Sequence, residues 1–479
     1  MEVGLPVDRL TQSAASRPGV GIVHLGLGAF YRAFGAVYVA EAMAASGGDW
    51  GIVGVSLKNP TIRNALAPQN WAYTSVTLAE NGESTQVIDV LENVLVAPEN
   101  PAAVLEAMAD PSVKIVSLTV TEKGYCYNPA TGELALDHPD IAHDLMQELP
   151  RSALGFLVRA LACRRAAGVP PFTVLSCDNL PENGALVRKI VLDFAHLIDP
   201  SLAQWIAGNA RFPATMVDRI TPATTSADIT RLTAMTGLYD GAPVLHEPFR
   251  QWVIEDNFVE DMRPDFGAVG VEMVEDVTGF EQMKLRMLNG SHSALAYLGY
   301  LAGHETVSDT VADPAFTAYV RQLWGEIMPV VRAPQGFDLR DYAQALMKRY
   351  ANPKIRHRTW QIAMDGSQKL PQRLLGSLEA NIAAGKPAPG LCLAVAAWMY
   401  YVGGIDQSGQ PIEVKDPMAE RLRAISDAAT TPADKVAALL SLSEIFPAEL
   451  AENLKTPVTE AAQFLWTQGA RKAALEVVT

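Results

Sequence analysis

The sequence predicts an α/β protein in which an N-terminal parallel-sheet domain, residues 1–278, is followed by a mainly α-helical domain, residues 279–479. Three observations lead there. Residues 19–57 run as a short apolar stretch, a glycine turn, a helix-compatible stretch ending near Ser46-Gly47-Gly48 and a second apolar run, which is a strand-helix-strand unit. Further strand-like runs at 86–91, 113–120 and 172–176 alternate with alanine- and leucine-rich segments at 102–108 and 153–167, as a helix-covered parallel sheet requires. After about Asp276 the strand signals fade, and helical segments punctuated by Gly or Pro dominate through 378–384, 394–401 and 433–442. No internal repeat or low-complexity linker interrupts the chain, so the junction near Thr278 is expected to be packed.

Composition narrows the function classes. The 479 residues are 49% hydrophobic and 19% charged, the balance of an ordinary globular protein able to bury large cores. A formal charge of −15 without a basic tract argues against a nucleic-acid partner. Cys126, Cys163, Cys177 and Cys392 are scattered without metal-ligand spacing, and the opening MEVGLPVDRL has no apolar secretory core, which together point to a reducing cytoplasm. Apolar runs such as 391–402 fall short of the ~20 residues a membrane span needs.

The glycine turn carries the first functional signal. Gly26-Leu-Gly28 follows an apolar strand and precedes a helix, where a dinucleotide pyrophosphate is cradled by close backbone approach and by free N–H groups. Gly26, Gly28, Ala29, Phe30 and Arg32 are the candidate cofactor contacts, Arg32 by adding a charge. The usual third glycine is replaced by Tyr31, so a plain strand-to-helix turn is the competing reading. No acidic residue closes the second strand, which runs into Leu57-Lys58-Asn59-Pro60; NAD is the expected cofactor and Lys58 leaves NADP open.

The second signal is Lys284-Leu-Arg-Met-Leu-Asn289-Gly-Ser-His292, three polar residues in an apolar run. On an α-helix turning ~100° per residue, Asn289 lies about 140° and His292 about 80° from Lys284, so one broad face can hold all three. The apolar neighbours imply a buried helix and a desolvated lysine whose pKa falls towards neutrality, suited to exchanging a proton with a hydroxyl. A snorkelling lysine beside a structural polar pair is the alternative.

Other clusters are weaker. Ser176-Cys-Asp178-Asn179 ends a strand and makes Asn179 a candidate oxyanion donor, or else an Asx turn. Thr119-Val-Thr121-Glu122-Lys123 ends another strand with a carboxylate that either meets ligand or pairs with its neighbour. Asp218-Arg219 and His246-Glu247-Pro-Phe-Arg250 fit structural pairing or sugar-hydroxyl contacts equally. Arg356-His357-Arg358 and Lys369 to Arg373 form a basic stretch for an anionic substrate or for solvent.

In this order the motifs SLTVTEKGYC, SCDNLPENG, MVDRITPAT, EPFRQWVIEDNF, KLRMLNGSHSALAYLGYLAG and RHRTWQIAMDGSQKLPQR resemble the polyol-specific long-chain dehydrogenases. This is the mannitol dehydrogenase family, which includes mannitol 2-dehydrogenase and fructuronate reductase. The last motif is worded more like the fructuronate reductases, because the mannitol enzymes usually carry arginine where Gln361 stands. The resemblance departs at Tyr31 and Phe34, where histidines are common. It implies a Rossmann-type first domain, a helical second domain, a substrate cleft between them and no metal. Lys284 would be the general acid/base, with Asn179 and Asn289 on the reacting oxygen and His292 orienting substrate and lysine. Asp218 and Lys369 map to substrate-binding positions, Glu122 would tune the lysine or link it to solvent, and Arg358 or Arg373 would reach the ligand's far end. The implied reaction is reversible hydride transfer between nicotinamide and a linear sugar derivative, fructuronate to mannonate first, mannitol to fructose or another polyol couple second, with a catalytically silent sugar or nucleotide sensor as the remote alternative.

Overall fold

The structure, a computed structural model, describes residues 8–11, 17–128 and 131–478; the first seven residues of the N-terminal stretch lie outside them. The chain divides into two compact units, Met1–Val277 and Thr278–Thr479.

In the first unit the strands used below are, in chain order, β1 (Val20–Leu25), β2 (Gly51–Ser56), β3 (Tyr73–Ala79), β4 (Gly82–Ile88), β5 (Leu91–Val96), β6 (Ile115–Leu118), β7 (Thr173–Ser176), β8 (Thr215–Asp218), β9 (Val244–His246), β10 (Gln251–Glu255) and β11 (Glu272–Val274). The main sheet has the order β7-β6-β1-β2-β5, and every neighbouring pair is parallel. Strands β2, β6 and β7 are rich in β-branched residues and buried along their whole length, and β1 is buried from Gly21 on, as a sheet covered on both faces demands. Alternate residues of β1 feed opposite cores. Val23 and Leu25 pack with Val104 and Leu157 of helices α2 (Pro101–Ala109) and α3 (Ala153–Ala166), whereas Ile22 packs with Val37 of α1 (Gly35–Ser46) and with Trp252. The Asn100 side chain accepts from the Ala103 N–H and the Ser152 hydroxyl from the Gly155 N–H, so α2 and α3 each start on a capping residue.

The expected parallel sheet is present, but residues 86–91 are not one strand. They hold the end of β4, a break at Asp89-Val90 and the start of β5; β4 turns back antiparallel on β3 while β5 joins the main sheet. The hydrophilic face of β4 explains the split, since a strand of sequence GESTQVI cannot be buried on both sides. A second small sheet, β8-β10-β11, also went unread in the sequence.

The His246-Glu247-Pro-Phe-Arg250 cluster is structural. The Glu247 carboxylate accepts from the Ile220 N–H at 2.7 Å, and the Arg219 guanidinium donates to the Ala33 carbonyl at 2.7 Å. Arg250 pairs with Glu41 and lies over the Tyr38 ring. The buried His246 donates from Nδ1 to the Glu247 carbonyl at 2.8 Å and accepts at Nε2 from the Ser75 hydroxyl on β3 at 2.8 Å. Burial, with the nearby Arg219 charge, pushes it down to about 4.

In the second unit, α4 (Thr278–Met283) leads into α5 (Ser291–Leu301); α6 (Pro314–Ile327), α7 (Leu339–Tyr350), α8 (Gly366–Leu370), α9 (Gly376–Ala383), α10 (Pro389–Tyr401) and α11 (Ala448–Gln468) follow, with shorter helices among them. The apolar α10 is buried against α5 and α11. Among the described residues no helix is long and apolar enough to cross a membrane.

His246 makes a pH prediction. Its folded pKa, about 4, lies below the ordinary 6.5, so below pH 6.5 the unfolded chain takes up a proton that the folded chain refuses, and stability falls as pH falls. Relative to His246→Gln, the wild type should lose about 2 kcal/mol of unfolding free energy between pH 7 and pH 5, read from urea midpoints at each pH.

Candidate active site

Lys284, Asn289 and His292 lie on the continuous helical path from α4 to α5, but the geometry is not that of an α-helix. Lys284–Gly290 forms a π-helical turn, in which i→i+5 hydrogen bonding replaces i→i+4. Residues five apart then stack as residues four apart do on an α-helix, so Lys284 and Asn289 come onto one side, closer than the ~100° spacing implies. The three side chains are buried, at 8%, 9% and 7% exposure.

A π turn misaligns its own carbonyls, and neighbouring side chains take them up. The Met287 carbonyl accepts from the Trp324 indole N–H of α6 at 3.1 Å and from the Ser291 hydroxyl. The Leu288 carbonyl accepts from the Tyr350 hydroxyl of α7 at 3.0 Å. Gly290 permits a further close approach. A Cβ there would stand 2.7 Å from the Arg373 carbonyl, which belongs to a second π turn, Pro371–Leu375, between α8 and α9.

His292 sits in an aromatic and cationic setting. Its ring stacks on Tyr350 at 4.8 Å and meets His357 edge-on at 4.9 Å. Burial first, then His357, Arg349 and Arg373, hold His292 well below the usual histidine range; burial, Lys369 and Arg373 push His357 down to about 4. Both imidazoles are therefore neutral near pH 7. Asn289 Nδ2, His292 Nε2 and His357 Nδ1 are buried without a hydrogen-bond partner in the structure, so this cluster holds polar groups that a ligand would satisfy. Arg373 donates to the Ser293 hydroxyl at 3.2 Å, and the half-buried Lys369 donates to the Met364 carbonyl at 2.5 Å.

In the first unit the glycine turn ends β1, the strand at which the order β7-β6-β1-β2-β5 reverses direction. That is the switch point where open parallel sheets bind ligands at their C-terminal edge. Gly26 has φ +91°, and a Cβ there would stand 2.2 Å from the Thr119 carbonyl, so only glycine fits. Gly28 is exposed and a Cβ there would meet nothing nearer than 3.7 Å; Ala29 and Phe30 are half-buried behind it. The turn thus keeps open space in front of its backbone, as a pyrophosphate would need.

Two family descriptions match the chain, the mannitol dehydrogenase Rossmann domain over residues 20–267 and the mannitol dehydrogenase C-terminal domain over residues 276–466. The chain belongs to the mannitol dehydrogenase family. It is 46% identical to the D-mannonate oxidoreductase of Escherichia coli K12 over 98% of both chains. It is 43% identical to a mannitol 2-dehydrogenase of Aspergillus fumigatus over 90% of this chain and 87% of that one. A solved mannitol 2-dehydrogenase of Pseudomonas fluorescens, a ternary complex with NAD and D-mannitol, superposes with TM-score 0.87 at 37% identity, covering 98% and 97% of the two chains.

Against this family frame, other sequence candidates fall into place unevenly. Asn179 is exposed just after β7, at the same sheet edge as the glycine turn, and Asp218 is buried at the end of β8. Glu122 is exposed on the one-turn helix Thr121–Gly124 after β6. The neighbours of Asn179 are structural: Asp178 accepts from the Val120 N–H and the Tyr125 hydroxyl, and Asn183 donates to the Thr215 carbonyl. Arg32 is corrected. It is buried, its guanidinium donates to the Ala242 carbonyl and lies over the Tyr73 ring, so its charge is turned into the fold and away from the turn. Arg358 is exposed and pairs with Glu305 at 3.5 Å, as Arg356 does at 3.4 Å. The segment is extended there, so Arg356 and Arg358 point out while His357 points in. His357 and Arg349 thus join this cluster; the sequence reading took His357 only as part of a basic stretch, although the alternation of RHR was available to set it apart, and nothing local marked Arg349. Among the described residues no metal-ligand group of three His, Cys, Asp or Glu occurs.

Gly290→Ala should drive the two π turns apart. We expect a loss of about 1–3 kcal/mol in stability, with at least a tenfold loss in turnover, measured by thermal melts and initial rates.

Proposed function

We propose that the protein catalyses NAD-dependent, reversible reduction of D-fructuronate to D-mannonate. The observation that carries this reading is the buried cluster on the second unit, where Lys284 shares a π turn with Asn289, whose Nδ2 is unpaired, and where His292 and His357, each with an unpaired nitrogen, stand among Arg349, Lys369 and Arg373. The cations grouped around these two imidazoles create a positive potential suited to a substrate bearing a carboxylate. The identity shared with D-mannonate oxidoreductase supports the same substrate.

The glycine turn fits a dinucleotide by its place at the switch point and its open backbone, and the solved relative that carries NAD supports that cofactor. Lys58 is exposed just past β2, where NADP would place its extra phosphate. Reduced nicotinamide supplies a hydride when bound. Lys284 hands its ammonium proton to the ketone oxygen as the carbonyl carbon is reduced, giving a secondary alcohol, and takes that proton back in the oxidation. Asn289 donates to the same oxygen while negative charge builds on it. His292, neutral, contacts a substrate hydroxyl through Nε2 and orients the chain of the sugar. Lys369 and Arg373 hold the carboxylate.

The mannitol and fructose couple is the second reading, favoured by the mannitol 2-dehydrogenase relatives. Initial rates of NADH and NADPH oxidation with D-fructuronate and with D-fructose decide between them. The proposal expects fructuronate to be preferred at least tenfold; preference for fructose overturns it, and no rate with either overturns both named substrates and leaves another polyol or a silent sensor. Lys284→Ala should lower kcat about a thousandfold or more while NADH affinity stays within twofold. Lys369→Met should raise KM for fructuronate about tenfold or more and leave that for fructose nearly unchanged.

A further inference from the structure

Behind the glycine turn lies a buried histidine that the reaction does not use. His24 is the fifth residue of β1, fully buried, directly opposite Ser117 of β6 in the sheet register. Its Nδ1 lies 2.8 Å from the Ser117 hydroxyl and its Nε2 2.9 Å from the Thr119 hydroxyl. The ring stacks on Tyr31 at 3.3 Å with the planes only 7° apart. Thr119 in turn donates to the Gly26 carbonyl at 2.9 Å.

The chain of bonds has a fixed direction. A carbonyl only accepts, so the Thr119 hydroxyl spends its one proton on Gly26 and must accept from His24 Nε2–H. A neutral imidazole has a single N–H, so Nδ1 accepts from Ser117, whose own oxygen stands 3.4 Å from the Tyr31 hydroxyl. Burial keeps the ring neutral, with a pKa pushed down to about 3. On the other side of the turn the N–H groups of Gly26 and Leu27 both donate to the Val55 carbonyl, at 2.9 and 3.1 Å. The Gly26 peptide is thus fastened from both sides in a left-handed conformation. The residue that holds its carbonyl, Thr119, also excludes any side chain from that position.

We propose that His24 and Thr119 are positioning residues for the dinucleotide, locking the Gly26 peptide so that the open backbone at Gly28 and Ala29 meets the pyrophosphate. Tyr31 supports the ring from the place a third glycine would take. The packing room such a glycine would give is supplied instead by Gly35, where a Cβ would stand 2.4 Å from the Tyr31 ring. The inference rests on the cofactor site proposed above.

The test uses the full-length protein. NADH binding is followed by fluorescence, KM is measured for NADH and for the sugar, and melting is recorded for wild type, Thr119→Val and Thr119→Ser. Thr119→Val should raise the NADH Kd and KM tenfold or more with the sugar KM within twofold, and Thr119→Ser, which keeps the hydroxyl, should return both to within threefold of wild type. A folded Thr119→Val protein with NADH Kd within twofold of wild type overturns the proposal while leaving the cofactor site standing. A wild type that binds neither NADH nor NADPH overturns both. Should Thr119→Val not fold, ¹⁵N-histidine NMR of the wild type decides: His24, assigned through its contacts with the Tyr31 ring, should be the Nε2–H tautomer, and an Nδ1–H tautomer sinks the idea.

Discussion

The second unit depends on one backbone constraint, the i→i+5 turn at Lys284–Gly290. Such a turn is intrinsically poorer than an α-turn and persists only where its surroundings over-determine it. Here they do. The carbonyls of Met287 and Leu288 are taken by Trp324 and Tyr350 from two different helices, and Gly290 admits the Arg373 carbonyl of the second π turn. The two irregular turns lock against each other, so the helix that carries Lys284 also fixes the segment that carries Lys369 and Arg373. Leaving any of those buried carbonyls unmatched costs roughly 1–3 kcal/mol. The same side chain that closes the backbone of the turn, Tyr350, also forms the stacking wall for His292.

The first unit solves a parallel problem at its glycine turn by a related device. Its strand order places the reversal at β1, and the residue just past that strand must adopt a positive φ. The peptide is held through its carbonyl by Thr119 and through its N–H groups by Val55. In both units a non-standard backbone stretch is stabilised by donors and acceptors from neighbouring elements rather than by its own periodicity. Functional backbone is affordable in these places because the carbonyl and N–H groups are paired elsewhere.

How much of this the sequence declared follows from the kind of signal each feature leaves. The main parallel sheet was legible because buried parallel strands are continuous apolar runs, and α2, α3 and α10 were legible as the alanine- and leucine-rich or apolar segments 102–108, 153–167 and 394–401. The β4 boundary was lost because an exposed strand without apolar alternation resembles a loop. Lys284, Asn289 and His292 stood out in the sequence as candidates, but their geometry was not legible, since no local pattern separates a π turn from an α-helix; the cause lies in Trp324 and Tyr350, 37 and 62 residues from the carbonyls they hold. The orientations of Arg32 and Arg358 were not legible, for one reason. A charge in a sequence carries no label for the side of the backbone it faces, and partners such as Ala242 and Glu305 are set only by the fold.

The electrostatics of the second unit also bear on which group moves the proton in the proposed reaction. A general acid at neutral pH must be protonated before the step and able to regain its proton afterwards. His292 and His357 fail the first condition, because burial and the adjoining cations keep them unprotonated until the pH is well below neutral. Arg349 and Arg373 fail the second, because a guanidinium does not release its proton in this range. On the turn itself Asn289 has no ionisable proton. Lys284 remains, the one group on that turn with a chemistry able to run in both directions, and the neutral histidines beside it are left free to hold hydroxyls without competing for the proton.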